Sequence, residues 1–521
     1  MIADEWGALN LDRTHRHAGP AVTVSLPGLG TMAVVPVLLV LYGAIALCVI
    51  PVLSSGFNFE RNYSEGWNAY HAFRAASGEV LYSGDPRHFV NYPFLSFYLV
   101  AWLKPLFGDV LTIGRALSLI ALAAISGGSA VVVRQLGGRP LDALFAGACV
   151  LGYQVVQAPG WVGSDDPQML AEACMIGGLA WYLHDRTTIW RLAVTATLLG
   201  IGGFTKHNLI AIPAAISFDI LWNNRRVFWV WCCLAGATLL ALTGLTYLVA
   251  GGDFLTELLA PRAIAIDIDH HAQKFAISFK LPLLIAILFL ARSLPRGQAA
   301  LLRSWGVVSL ASAVVFSAGE GTSFNIFLDV VLFFGVIAGL ALQRWGQWLA
   351  GVGQKGRIAM TLLPLVLAQP IVTRLPQSTE RLLDLPQALR SLSELQNRFT
   401  AAAQTLRAQE GAALCESLLL CFEAGKPLLV DPYNARQMIL TGRLEETALL
   451  NEIQQHRFAI IEMPTRIYLD AQSRDIAPYL STPARFTENT LRAIESYYEP
   501  ALNGGGVVFY RPKAAELARR Q

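Results

Sequence analysis

The residues of this chain that are equipped for chemistry are few, and they sit in short polar stretches between long apolar ones. The first stretch is YSEGWNAYHAF (63–73), a helical run that puts Trp67, Tyr70 and Phe73 roughly on one side and Glu65 in the first turn. A carboxylate there lies near the positive end of the helix dipole, which favours the ionised form that a general base or metal ligand needs. The plainer reading is a first-turn residue on a solvated loop. The second stretch is Asp165-Asp166-Pro167, where an acid ahead of a first-turn proline caps a helix, presents a carboxylate, or does both. Two cations stand out. Arg115 opens the run GRALSLIALAA and suits a bidentate grip on an anion, or a side chain that snorkels at a helix end. Lys206 interrupts an otherwise apolar hairpin, GGFTKHN, where a charge is costly at the bilayer centre. The loop IDIDHHAQKF (266–275) spaces Asp267, Asp269, His270 and His271 as a divalent ion would need, although short acidic loops usually bind nothing. Asn325, in GEGTSFNIFLD (319–329), contacts substrate or caps a helix. Gly425-Lys426-Pro427 is not a phosphate loop, because the glycine spacing and the following Ser/Thr are missing.

These residues need elements that bring them together, and composition says what kind. Of 521 residues 54% are apolar and only 15% charged, well below the quarter typical of soluble proteins. The net charge of +3 says little about partners, and nothing marks a nucleic-acid binder. Crossing the hydrocarbon core takes roughly 20 apolar residues. Candidate spans are 33–53, 113–133, 142–159, 168–184, 190–205, 207–222, 227–250, 277–292, 304–319, 324–342 and 357–374. The segment 91–107 is short, aromatic and bracketed by Pro93 and Pro105, as expected of an interfacial helix. If it does not cross, the arginine-rich loops near 134–142, 184–191, 223–226, 292–303 and 343–357 share one side, which the positive-inside rule makes cytoplasmic. The expectation is therefore an α-helical polytopic membrane protein with eleven spans and a cytoplasmic segment 1–32. Glu65, Arg115, Asp166, Lys206, His270 and His271 then lie on the outer side. No cleavable signal peptide is read in the first thirty residues. From about residue 376 charge becomes common, and helical stretches at 381–409 and 444–456 alternate with strand-like runs at 427–430, 458–461 and 507–510. That describes a small α/β domain over 376–521, after a membrane domain over 33–375. Cys415 and Cys421, if helical, lie on different faces and too far apart to bridge without a turn.

The ordered set of YSEGWNAY, YPFLSFYLVAWLKPLFG, GRALSLIALAA, GSDDPQMLAEA and GGFTKHN resembles the multi-spanning glycosyltransferases of the GT-C class, in particular the bacterial family of lipid A aminoarabinose transferases and protein O-mannosyltransferases. The resemblance covers roughly residues 33–342. It implies a sugar donor carried on a polyprenyl phosphate, an inverting displacement at the anomeric carbon, and a lipid, glycan or protein acceptor at the outer face of a bacterial inner membrane. No cofactor or resident metal is implied. Glu65 is the implied base and Asp166 the second outer carboxylate, with Arg115, Lys206, His270 and His271 at the lipid phosphate and Tyr70 and Asn325 at the substrate. One departure matters: where the family has Asp-Glu, this chain has Ser64-Glu65.

Two other readings compete. A transporter or flippase places ionisable residues near the midplane on broken helices in paired repeats, and no internal repeat is visible here. An inactive relative acting as an assembly subunit is compatible with Ser64.

Overall fold

The computed structural model of the chain describes residues 29–264, 268–320, 322–464, 485–504 and 507–513. Every apolar segment expected to span coincides with helix. In chain order these are α1 (Leu29–Ser54), α4 (Val110–Gln135), α5 (Pro140–Gln157), α6 (Gln168–His184), α7 (Ile189–Thr205), α8 (Ala211–Asn223), α9 (Arg225–Ala250), α11 (Ile268–Arg292), α12 (Arg296–Ser317), α13 (Leu328–Ala350) and α14 (Gln354–Leu367). Among the described residues, six helices are long and apolar enough to cross a membrane by themselves: those containing Ala33–Ser54, Val110–Gln135, Arg225–Ala250, Gln273–Arg292, Gly297–Ser317 and Phe324–Ala350. The rest are shorter for local reasons. The Lys206–Ile210 loop separates α7 from α8. Pro370 begins a new short helix, α15 (Gln369–Val372), after α14. The bundle packs around α13, whose apolar window is 94% buried, whereas α9 is only 6% buried and turns its apolar surface outward. Outward leucines such as Leu240 and Leu248 suit lipid rather than water.

Between α1 and α4 the chain forms two short helices, α2 (Ser64–Ala76) and α3 (Leu95–Phe107), and between α9 and α11 a five-residue helix, α10 (Phe254–Leu258). At 13 residues α3 is roughly 20 Å long, too short to cross. It buries Ser96, Phe97 and Val100 and exposes Trp102, Leu106 and Phe107, the profile expected of an interfacial helix.

After α16 (Leu375–Leu383) and α17 (Leu385–Arg407), the C-terminal region forms a four-stranded sheet in the order β1-β2-β4-β3. The strands are β1 (Ala413–Cys415), β2 (Ile460–Pro464), β3 (Tyr498–Gly504) and β4 (Val507–Pro512). β1 runs parallel to β2, with Leu414 opposite Ile461, and the other pairs are antiparallel. The helices here are α18 (Leu418–Glu423), α19 (Pro432–Leu440), α20 (Glu446–Gln454) and α21 (Glu488–Tyr497). Two expectations are corrected. Residues 427–430 form no strand, because the place beside β2 is taken by β1; Leu428 and Val430 are buried without joining a ladder. Cys415 and Cys421 are disulfide-bonded, with Cα atoms 6.0 Å apart. The turn at Glu416-Ser417 between β1 and α18 folds the chain back, so the helical geometry that kept them apart does not apply.

The C-terminal region does not hang free. Trp67 and Tyr70 of α2, Phe97 of α3, Leu418 and Leu419 of α18, and Ile460 and Phe509 of the sheet belong to one buried cluster. A Cβ at Gly66 would lie 2.1 Å from the Leu419 nitrogen, so only glycine lets α18 seat on α2.

Candidate functional site

The end of the bundle that carries the C-terminal region holds two buried ion pairs, and the four residues in them are those singled out from the sequence. The first is Glu65–Arg115. Arg115 Nε donates to Glu65 Oε1 at 2.7 Å and one terminal nitrogen donates to Oε2 at 2.8 Å, the bidentate fork that suits a carboxylate. The other donors go to the carbonyls of Ser55 (3.3 Å), Phe57 (2.6 Å) and Phe59 (2.7 Å). A guanidinium has five N–H groups, and all five are used. Glu65 is filled in the same way. Its Oε1 also accepts from the Asp165 amide at 3.1 Å, and its Oε2 from the Arg61 amide at 2.8 Å. Burial alone would raise its pKa, but the Arg115 charge and hydrogen bonds outweigh that and hold it below the usual value. The expected roles of a free base for Glu65 and a phosphate ligand for Arg115 thus meet a geometry in which neither has a position left to offer. Together they tie the loop after α1, the start of α2, α4 and the loop before α6 into one knot.

The second pair is Asp166–Lys206. Lys206 Nζ lies 3.1 and 3.4 Å from the two Asp166 oxygens and 3.1 Å from the Tyr92 hydroxyl, over whose ring it also sits, 4.2 Å from the centroid. Asp166 accepts from the Gln168 amide at 2.8 Å, so it satisfies the first amide of α6 while holding the lysine. Its remaining partner is the Ser64 hydroxyl at 3.0 Å. That hydroxyl has one proton and a second acceptor close by, Asn62 Oδ1, so it satisfies only one at a time. Burial lowers the lysine's affinity for its proton, but Asp166 and Tyr92 more than compensate, so Lys206 stays charged. Both members are buried, but Ser64 and Tyr92 beside them are half-buried.

Asp165, next to Asp166, behaves differently. Its carboxyl lies against Gly114, where a Cβ would come within 1.9 Å of Oδ1. Burial first, and then the charges of Glu65 and Asp166, push its pKa well above the usual carboxylate range.

The other expected site residues are spread wider. The Tyr70 hydroxyl donates to the Lys426 carbonyl at 2.6 Å, which makes it a docking contact for the C-terminal region rather than part of the pair's surroundings. Asn325 lies in the turn Phe324–Phe327 ahead of α13, beside Gln157, which donates to the Phe324 carbonyl at 3.0 Å. Among the described residues no hydrogen bond joins Asn325 to Asp166 or Lys206. His270 and His271 fall in the first turn of α11, but their side chains, like Asp267, lie outside the described residues. Other acids at this end are structural. Glu257 accepts from the Gly84 and Val90 amides at 2.9 and 2.7 Å, and Glu320 pairs with Arg436 at 2.5 Å. Three residues went unremarked in the sequence: Tyr92, Ser64 as a partner of Asp166, and Arg262. Exposed Arg262 lies near enough for its charge to act on His207, the neighbour of Lys206, and on Tyr433 of α19. A tyrosine before a proline and a lone arginine in a loop carry no local signal that sequence spacing could have used.

No protein-family profile matches this chain, and no curated protein matches it in sequence. The fold does have counterparts among solved structures. The apo crystal structure of ArnT from Cupriavidus metallidurans superposes with a TM-score of 0.57 at 14% identity, covering 94% of this chain and 99% of that one. ArnT from the same organism bound to undecaprenyl phosphate gives a TM-score of 0.54 at 13% identity, over 91% and 98% of the two chains. This chain therefore shares its fold with ArnT over most of its length.

Proposed function

We propose that the protein transfers a sugar from a polyprenyl-phosphate donor to an acceptor hydroxyl at the outer face of a bacterial inner membrane, with Asp166 as the base and Lys206 on the leaving phosphate. The observation that carries this reading is the Asp166–Lys206 pair, held by exchangeable side-chain partners at the end of a fold that ArnT shares and in which that protein binds undecaprenyl phosphate. The Cys415–Cys421 disulfide supports an outer placement of the C-terminal region, because such bonds persist in oxidising compartments.

The chemistry follows from how the pair is held. An arriving phosphate draws Lys206 away from Asp166. That frees the carboxylate. The acceptor oxygen attacks the anomeric carbon, its proton passes to Asp166, and the bond from that carbon to the phosphate oxygen breaks, releasing polyprenyl phosphate with inversion. Lys206 offsets the charge that develops on the leaving oxygen. Glu65 and Arg115 position rather than react. Ser64, where the family carries an acid, leaves one carboxylate rather than two beside Lys206.

The test is to offer the protein in nanodiscs a panel of undecaprenyl-phosphate hexoses, pentoses and aminosugars with an extract of envelope lipids and glycans, and to measure released undecaprenyl phosphate. Release that depends on Asp166 is expected. Release that survives Asp166→Asn would remove it from the base role, and no release with any donor would return the chain to the transporter or assembly-subunit reading.

A further inference from the structure

A small cleft of about 20 Å³, room for one water-sized group, lies between α2, α3, α4 and the start of α6, with Asn68, Ser96, Asp165 and Asp166 in its wall beside apolar Phe97 and Leu117. Three buried polar atoms on that wall have no hydrogen-bond partner: Asn68 Oδ1, Ser96 Oγ and Asp165 Oδ2. Their residues are 3%, 9% and 6% exposed, so bulk water does not satisfy them. The orientation of the Asn68 amide is set, because its nitrogen donates to the Asp165 carbonyl at 2.6 Å and leaves the oxygen facing elsewhere. One unpaired buried polar atom is costly, and three around one space mark a site that something completes.

The character of the wall selects the occupant. A phosphate is disfavoured, since the wall carries two aspartates and the nearby cations, Arg115 and Lys206, are already engaged. Burial and the neighbouring charges of Glu65 and Asp166 push the Asp165 pKa well above the usual carboxylate range, which favours a proton on its unpartnered oxygen, and the Asp166 charge is paired with Lys206. The cleft then offers one donor in Asp165, one acceptor in Asn68 and either in Ser96. A single hydroxyl, which donates once and accepts twice, uses all three. The apolar remainder suits the carbon to which that hydroxyl is attached.

We infer that this cleft seats a non-reacting hydroxyl of the acceptor, with Asn68, Ser96 and Asp165 holding it so that a neighbouring hydroxyl lies beside Asp166. The inference rests on the proposed transfer reaction and places part of the acceptor among α2, α3, α4 and the start of α6, beside Asp166. Water offers the same chemistry, so the test separates a seated substrate hydroxyl from seated solvent.

The full chain in nanodiscs is assayed with the undecaprenyl-phosphate sugar that the wild type accepts, varying donor and envelope extract separately. Ser96→Leu fills the cleft and Ser96→Ala only removes the hydroxyl. The expected result is an apparent KM for the acceptor extract raised about tenfold or more in Ser96→Leu and a few-fold in Ser96→Ala, the scale of one lost hydrogen bond, with donor KM within twofold of wild type. Unchanged donor KM also certifies that the variants are folded. Acceptor KM unchanged in both variants would mean that the cleft holds water alone, and a rise in donor KM only would assign it to the donor sugar; either result overturns the inference while leaving the transfer reaction intact. A wild type that releases nothing with any donor ends both readings.

Discussion

Glu65–Arg115 and Asp166–Lys206 are two buried ion pairs at the same end of the same bundle, and they differ in one respect that decides what each can do. Glu65 is held by a guanidinium and two backbone amides, none of which can leave without moving the chain. Asp166 is held by a lysine, a serine hydroxyl that has an alternative acceptor, and the first amide of α6. Side-chain partners can be exchanged for a substrate; backbone partners cannot. Burial and charge alone would rank the two pairs equal, so the count of free valences, not the presence of a carboxylate, separates a reacting group from a brace.

The comparison breaks most directly at the two carboxylates. Asp166→Asn keeps the size of the side chain and its acceptor for the Gln168 amide but removes the base. Loss of general-base catalysis is expected to lower kcat per folded molecule by about 10²- to 10⁴-fold, beyond any loss of stability from leaving the Lys206 charge without its partner. Glu65→Gln should behave in the opposite way. It strands the Arg115 charge among carbonyls, and removing one partner of a buried pair costs about 3–5 kcal/mol. Its activity should fall only as far as folded protein is lost, read as specific activity per folded molecule. Arg115→Lys sharpens the point: the charge is kept, yet three donors replace five, so at least two of the carbonyls of Ser55, Phe57 and Phe59 or the Glu65 oxygens go unsatisfied. A melting temperature lowered to nearly the same extent as in Glu65→Gln is expected; a wild-type melt would mean that the fork geometry is dispensable.

A smaller effect is expected where the C-terminal region braces α2. The Cys415–Cys421 bridge closes a short loop around the start of α18, and α18 seats against Gly66, one residue after Glu65. A loop of this length contributes about 2 kcal/mol by chain entropy. Cys415→Ser with Cys421→Ser should therefore leave the bundle folded but raise hydrogen exchange in α18 and the first turns of α2. Unchanged exchange in α2 would show that the brace runs through the Glu65–Arg115 knot alone.

Much of this architecture was legible in the sequence. Apolar length located the helices of the bundle, and the short aromatic segment bounded by Pro93 and Pro105 reads as α3, because those signals are local. The residues of both ion pairs were legible too, since charges next to apolar runs are conspicuous. Their pairing was not. Nothing in the spacing says that Arg115 turns toward Glu65 instead of a phosphate, because that depends on three carbonyls, 56 to 60 positions away, which the loop after α1 presents. β1 was missed because Ala413–Cys415 is three residues long and continues into a run that reads as helical, and the disulfide was missed with it.

The smallest expected effect extends the comparison to a third acid on the same loop. Glu60 lies five residues before Glu65 and is equally buried, yet its pKa moves the other way, up to about 7. Burial comes first among the causes, and the partial relief offered by Arg485 and the Ser417 hydroxyl is offset by Glu65 and Glu416. Glu462 of β2, whose Oε2 accepts from the Ser417 amide at 2.9 Å, is likewise pushed up to about 8 by burial, with Glu416 and Glu60 adding to the effect and Arg485 opposing it. Since these two groups hold protons in the folded protein that they have lost in the unfolded chain above pH 4.5, the folded state binds more protons than the unfolded one between that pH and about 7 to 8. Stability of the joint between the loop and the C-terminal region is therefore fully present below pH 4.5 on account of these groups, and it declines as pH rises through 7 and 8. After relaxation and water entry the expected change is roughly 1 kcal/mol. It would be read as faster limited proteolysis between α17 and β1 at pH 8 than at pH 6, and Glu60→Gln should flatten that dependence, while Glu65→Gln, which removes a carboxylate held below its usual pKa and only a minor contributor to the Glu60 shift, should leave most of it.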